Sequence, residues 1–128
     1  MDPALKGVGK MEALSAAELQ IIRSMLLKQY GPGSRFLDQL AGARVESRRT
    51  TGVGLFVDLI IAGKAARVDE INSGIVASYR TLLGHPGDMV GFTLFIRSGY
   101  LSFLEGYTFS DAKWPGDLLE NWLVLDAV

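Results

Sequence analysis

The sequence predicts an α+β fold in which an N-terminal helical segment packs on a mainly antiparallel β-sheet. Three observations predict it: an early stretch of helical periodicity, two-residue alternation of apolar side chains from residue 43 onward, and two β-rich runs separated only by Ser98-Gly99. A chain of 128 residues, of which 48% are hydrophobic, is large enough for one well-filled core. We expect a loose leader over residues 1–14 and a single domain over residues 15–128.

The helical segment starts with a capping box. Ser15 and Glu18 have the spacing at which each satisfies a free backbone donor at the start of a helix. Apolar residues then follow at helical spacing until a Gly-Pro-Gly sequence ends the run, which predicts a helix near residues 16–30. Ser34 is placed to cap a second, short helical turn, and Gly42 to close it.

The remainder of the chain has the pattern of a sheet. Alternation predicts strands on both sides of residues 51–54, a stretch that is either a tight turn or a bulge within one bent strand. A weaker strand is expected after Gly74, followed by a loop at residues 84–87. The C-terminal apolar stretch favours an edge strand at about residues 121–126 over a short helix.

The clearest element is a β-hairpin that turns at Ser98-Gly99. If these two residues form the loop, Arg97 pairs with Tyr100, and regular pairing from there places Phe92 opposite Glu105. Glu105 would then be the one charged side chain on an otherwise apolar face. It would reach solvent at the rim of the sheet, pair with an arginine such as Arg48 or Arg49, or act as an acid or base in a pocket.

The same register places Gly91 opposite Gly106 on the other hairpin face. Two cross-strand glycines leave a dent in the sheet. The dent accepts either an aromatic ring, such as that of Trp114 or Trp122, or a ligand.

The sequence lacks the residues that several classes of functional site require. The chain has no cysteine and one histidine, His85, which excludes metal sites that require thiolates or two imidazoles. Residues 52–54 lack the third glycine and following helix of a dinucleotide fingerprint, so no cofactor is expected. A formal charge of -1 argues against nucleic acid as a partner, and the longest apolar run, residues 52–63, is too short to span a membrane. With no signal peptide in the sequence, a cytoplasmic location is expected.

Two segments resemble an uncharacterised family of small bacterial proteins, a domain of unknown function. The first carries R-x-T-G-x-G at residues 49–54, and the second carries L-E-G-Y at residues 104–107 followed by the W-P pair at residues 114–115. The resemblance covers about half of the chain and implies an α+β fold in the bacterial cytoplasm. No activity is attached to the family, so the resemblance assigns no functional residue.

The composition and the missing motifs favour a non-enzymatic binding or protein-interaction domain. Its partner would be another protein or a second copy in a homodimer, contacted through an apolar sheet face or the terminal strand. The alternative is a small hydrolase or isomerase with Glu105 as general acid/base in a pocket near Tyr107 and Arg49. The candidate ligand-binding residues are Glu105, Tyr107, Arg49 and Trp114.

Overall fold

A computed structural model describes residues 11–71, 73–83, 88–109, 113–114 and 124–127. In chain order the elements are β1 (Glu12–Ala13), α1 (Ala16–Tyr30), α2 (Phe36–Ala41), β2 (Ala43–Thr51), β3 (Gly54–Ile61), β4 (Gly74–Leu83), β5 (Asp88–Arg97), β6 (Tyr100–Thr108) and β7 (Val124–Ala127). The strands form one sheet in the order β1-β2-β3-β6-β5-β4-β7, and each neighbouring pair in it is antiparallel. The predicted α+β class is therefore confirmed.

Helix α1 begins and ends at the predicted residues. The Glu18 amide donates to the Ser15 hydroxyl at 3.1 Å, and the Ser15 amide donates to the Glu18 carboxylate at 2.8 Å, which completes the capping box. The helix stops at Gly31, whose φ of 84° is accessible to glycine without strain. The helix α2 follows after Ser34, whose hydroxyl accepts a hydrogen bond from the Phe36 amide.

The hydrophobic core lies between the helices and one face of the sheet, which we call the helix face. Alternate residues of β3 and β5 point into it, as do two residues of β6 that a bulge sets three positions apart. They are Leu55, Val57 and Leu59 on β3, Val90, Phe92, Leu94 and Ile96 on β5, and Leu101 and Leu104 on β6. The residues between them lie on the opposite side of the sheet, which we call the open face. Neither helix packs on the open face, because the buried residues of both belong to the core on the other side.

Residues 52–53 form a tight turn between β2 and β3, which decides between the two alternatives for this stretch. Thr51 pairs with Gly54 across the turn. A bulge between Val45 and Ser47 precedes the region in which Arg48 and Arg49 point to opposite faces. Arg48 contacts the helices and Arg49 lies on the open face, as the alternation of the strand predicts.

The hairpin turn at Ser98-Gly99 is confirmed, but its register changes within the strands. Ser98 and Gly99 have φ values of 54° and 76°, the pair of positive values that a two-residue type I′ turn requires. The predicted pairing holds through Ile96 and Leu101 and then shifts at a bulge, beyond which Phe95 pairs with Phe103. Ser102 is the extra residue at this bulge.

The predicted pairing of Phe92 with Glu105 is therefore wrong. Phe92 lies opposite Gly106, and Glu105 lies opposite Thr93. A shift of one residue moves all later side chains of a strand to the other face. Glu105 is consequently on the open face and not among the apolar side chains of the core.

The predicted pairing of Gly91 with Gly106 is wrong for the same reason. Gly91 pairs with Tyr107, whose ring lies over it on the open face. Gly106 pairs with Phe92 and is covered on the helix face by Trp114, which packs edge-to-face on Phe92 with ring centroids 6.1 Å apart. An aromatic ring therefore covers each glycine, on the open face at Gly91 and on the helix face at Gly106.

The ends of the sheet use residues from both termini. Glu12 and Ala13, which the sequence assigns to the leader, pair with Val45 and Arg44, and Leu14 is buried. The strand β7 at Val124–Ala127 pairs with β4, so the predicted terminal edge strand is present. Residues 121–123 and the predicted loop at 84–87, with His85, lie outside the described residues, as does Trp122. Neither described helix has the length and apolar character needed to cross a membrane.

Candidate functional site

The open face of the four central strands consists of three rows of residues that cross β2, β3, β6 and β5 in that order. The row nearest the β2–β3 turn contains Thr51, Gly54, Tyr107 and Gly91. The middle row contains Arg49, Phe56, Glu105 and Thr93. The third row contains Ser47, Asp58, Phe103 and Phe95. The strand pairing thus brings together residues from four separate parts of the chain.

Aromatic rings occupy the centre of this face. Phe103 stacks on Phe95 with ring centroids 4.2 Å apart and planes 12° apart, and Phe56 lies 6.5 Å from Phe103. Tyr107 packs edge-to-face against Phe109 at 5.8 Å. These offset and edge-to-face arrangements are favourable between aromatic rings. The rings shield one another, and each is still partly exposed.

The charged side chains of the open face lie around these rings and form no ion pairs with one another in the described residues. The Arg49 guanidinium lies 4.6 Å from the centroid of Phe56, in a cation–π contact. The Ser47 hydroxyl donates to the Asp58 carboxylate at 2.6 Å. Within the described ranges, Glu105 makes no ion pair and no side-chain hydrogen bond. Arg49 makes no ion pair within these ranges either.

Arg49 and Glu105 share the middle row but do not touch. Phe56 stands between them, and residues two strands apart in a sheet are separated by roughly 10 Å. Tyr107 is on the same strand as Glu105, one row away. The structure therefore brings three of the four predicted ligand-binding residues onto one face, while Trp114 is 6% exposed and belongs to the core on the other side.

Two adjoining grooves indent the open face near the hairpin turn. One of about 310 Å³ passes over Phe56 and Phe103, between Arg49 and Arg97. The other, of about 400 Å³, lies beyond it between the ends of β3 and β6, which are unpaired after Asp58. Glu105 and Tyr107 line neither groove. The sequence does not reveal these grooves, because they are lined by residues from separate strands, with Ser102 at the bulge contributing to both.

Gln39 of α2 fixes the hairpin end beside the grooves. Its side-chain oxygen accepts a hydrogen bond from the Leu101 amide at 2.9 Å. Its side-chain nitrogen donates to the carbonyl oxygens of Gly99 and Ala66 at 2.9 and 3.0 Å. Gln39 is fully buried, so these bonds satisfy polar groups that have no access to water. No sequence motif marks this residue, whose partners are distant along the chain.

Arg48 belongs to a structural ion pair on the helix face. Its guanidinium donates to the two carboxylate oxygens of Glu18 at 2.7 and 2.9 Å, and it also reaches Glu12 at 2.7 Å. The Arg48 side chain is 7% exposed and that of Glu18 is fully buried. The suggestion that Arg48 pairs with Glu105 is therefore wrong, because the two side chains lie on opposite faces.

Tyr30, at the end of α1, lies outside the open face as well, and burial raises its pKa above the usual value.

The described residues contain no candidate metal centre. Among them, no group of three or more His, Asp or Glu side chains is placed to hold a metal ion.

The resemblance to the bacterial family with the R-x-T-G-x-G and L-E-G-Y segments stays a prediction. Comparison of the chain with protein-family models, with curated proteins and with solved structures finds no match.

Proposed function

We propose that this chain is a non-enzymatic protein-interaction domain that binds a protein surface with its open face. The observation that carries the proposal is the cluster of partly exposed rings of Phe56, Phe103 and Phe95 on three adjacent strands. Aromatic residues and arginine are enriched at protein interfaces, where they provide most of the binding energy. Arg49 and Arg97 flank these rings.

The geometry gives less support to the hydrolase or isomerase alternative. A general acid/base has to reach a bound substrate, whereas Glu105 lines neither groove. Phe56 separates Glu105 from Arg49, so the two side chains do not form one catalytic pair. The open, aromatic character of the face favours contact with a broad surface.

The cellular location of the domain and the class of its partner belong to the same proposal. We propose the bacterial cytoplasm as its setting, which the two resembling segments support. A formal charge of -1 favours a protein partner over nucleic acid.

Photo-crosslinking in the cells from which the gene comes tests the proposal. Benzoylphenylalanine in place of Phe103 keeps an aromatic ring on the open face while making it reactive toward any protein in contact. The matched control carries the same group in place of Leu27, an apolar side chain of α1 that is 40% exposed. Thermal melting of both purified proteins establishes that they are folded.

We expect protein adducts from the Phe103 position and few or none from the Leu27 position. Mass spectrometry of the adducts distinguishes a second copy of this chain from a different protein. Equal yields at the two positions, or no adduct at either, would overturn the proposed function of the open face.

A further inference from the structure

We propose that the partner is a second copy of this chain, docked face to face about a two-fold axis that runs along β3. This inference rests on the proposed function of the open face and names its partner. It is carried by the middle row, in which Arg49 and Glu105 stand one strand to either side of Phe56.

The symmetry of that row makes the face complementary to itself. A two-fold axis along β3 turns β2 of one copy over β6 of the other. Each Arg49 then faces Glu105 of the second copy, and the two Phe56 rings meet at the axis. Both charges gain an opposite charge that neither has in the described part of its own chain.

Asp58 also lies on β3 and has to be accommodated near the axis. The hydrogen bond from Ser47 draws its carboxylate toward β2 and away from the axis. Sheets packed face to face cross at about 30°, so the axis passes over Phe56 at about 15° to β3, and residues two positions from that crossing point are displaced from one another. The two Asp58 carboxylates are therefore kept apart while the middle rows stay in register.

A second copy suits the charge of this face better than a strongly acidic or basic partner does. The groove over the aromatic rings is lined by two basic side chains, Arg49 and Arg97, and two acidic ones, Glu46 and Asp58. The whole chain has a formal charge of -1, so two copies repel each other only weakly.

Pairing through the outer edge of β2 fits less well. The short β1 pairs only with Val45 and Arg44 and leaves the rest of that edge exposed. Antiparallel pairing of two such edges around Arg49 would set this side chain, which has no ion pair in the described residues, beside Arg49 of the other copy. Like charges at such positions oppose association of strands.

The size of the face predicts a weak dimer. With the axis along β3, the strands β2, β3 and β6 of the two copies overlap. Three strands about 4.8 Å apart and about seven residues long span roughly 14 by 23 Å. Stable dimers bury about 800 Å² of accessible surface on each partner, and this footprint of roughly 320 Å² is well below that size. We expect a dimer that dissociates at micromolar concentrations.

Charge reversal tests the axis directly, with sedimentation velocity over about 1–500 µM as the measurement. Arg49→Glu sets two acidic side chains against each other across the axis, and Glu105→Arg sets two basic ones. We expect each variant alone to weaken dimerisation by about ten-fold or more. The double variant restores opposite charges and is expected to dimerise like the original chain.

The decisive sample is an equimolar mixture of the two single variants. One chain then presents only acidic side chains at the two positions and the other only basic ones, so both contacts across the axis are attractive. We expect the mixture to form a heterodimer at concentrations where each component alone, weakened by about ten-fold or more, is mostly monomeric. Arg23→Glu, the same charge change on the exposed surface of α1, is expected to leave dimerisation unchanged.

The outcomes separate this inference from the proposed function. An original chain that stays monomeric throughout, or single variants that associate no better when mixed, would overturn the two-copy arrangement. If the Phe103 position nevertheless crosslinks to a different protein, the open face keeps its proposed function with another partner. The absence of both self-association and adducts would overturn both.

Discussion

Two glycines show how single residues determine where aromatic rings meet this sheet. A Cβ atom on Gly106 would stand 2.7 Å from an atom of the buried Trp114 ring and 2.9 Å from an atom of Phe92. A Cβ atom on Gly91 would stand 2.5 Å from Tyr107, whose ring is on the partly exposed open face. The Tyr107 ring has room to move toward solvent, whereas the other two rings are held by the core.

We predict that Gly106→Ala lowers the free energy of unfolding by about 1–3 kcal/mol, because overpacking a core forces its side chains out of position. Gly91→Ala should cost less, since Tyr107 can turn away. Gly52→Ala is the matched control, because nothing lies within 4 Å of a Cβ atom there. Urea unfolding measures all three. Equal stability of the Gly106 and Gly52 variants would show that Trp114 does not pack on the strand.

At the scale of elements, one ion pair joins α1 to β2. Glu18 caps the start of α1 and also holds Arg48 with both carboxylate oxygens. Through Glu12 and the Ala13 carbonyl oxygen, Arg48 reaches β1 as well. Because both partners are shielded from water, the loss of one leaves the other charge without compensation.

We predict that Arg48→Met destabilises the protein by about 3–5 kcal/mol, because it leaves the Glu18 carboxylate buried without its cation. The double variant Arg48→Met, Glu18→Gln should be more stable than Arg48→Met alone, since glutamine keeps an oxygen for the cap and carries no charge. Arg35→Met disrupts the exposed pair with Glu70 and should cost at most about 1 kcal/mol. A double-mutant cycle in urea checks these values, and a double variant less stable than Arg48→Met would contradict them.

At the scale of the whole molecule, the sheet is packed on one side only in the described structure, and its hairpin is tied to the helical layer through Gln39. This side chain connects α2 to Ala66 in the loop after β3, and to Gly99 and Leu101 at the hairpin end. The bulge that sets the register of β6 lies immediately beyond Leu101. Gln39 therefore supports the part of the fold that shapes the open face.

We predict that Gln39→Leu costs about 3 kcal/mol of stability, because it leaves the buried Leu101 amide without an acceptor and removes two further hydrogen bonds. The Leu101 amide should also exchange its hydrogen faster in the variant. Gln20→Leu, at an exposed position of α1, is the control and should change stability by less than about 0.5 kcal/mol. Unchanged exchange at Leu101 would mean that Gln39 does not hold the hairpin end.

Local signals in the sequence are sufficient to predict two elements of this fold. The capping box at Ser15 and Glu18 marks the start of α1, and Ser98-Gly99 marks the hairpin turn. Both signals involve backbone groups at most a few residues apart, so they act wherever the rest of the chain lies. The α+β class follows from the order of these elements.

Only the tertiary structure decided which residues share a face. Two-residue alternation shows that β6 has two faces, but an extra residue at Ser102 exchanges them without altering the composition of the strand. The bulge at Ser102 is accompanied by contacts between distant segments, such as the hydrogen bond that the Leu101 amide donates to the Gln39 side chain. For this reason the alternation alone places Glu105 on the wrong face, and the row that it forms with Arg49 and Phe56 depends on the pairing of three strands.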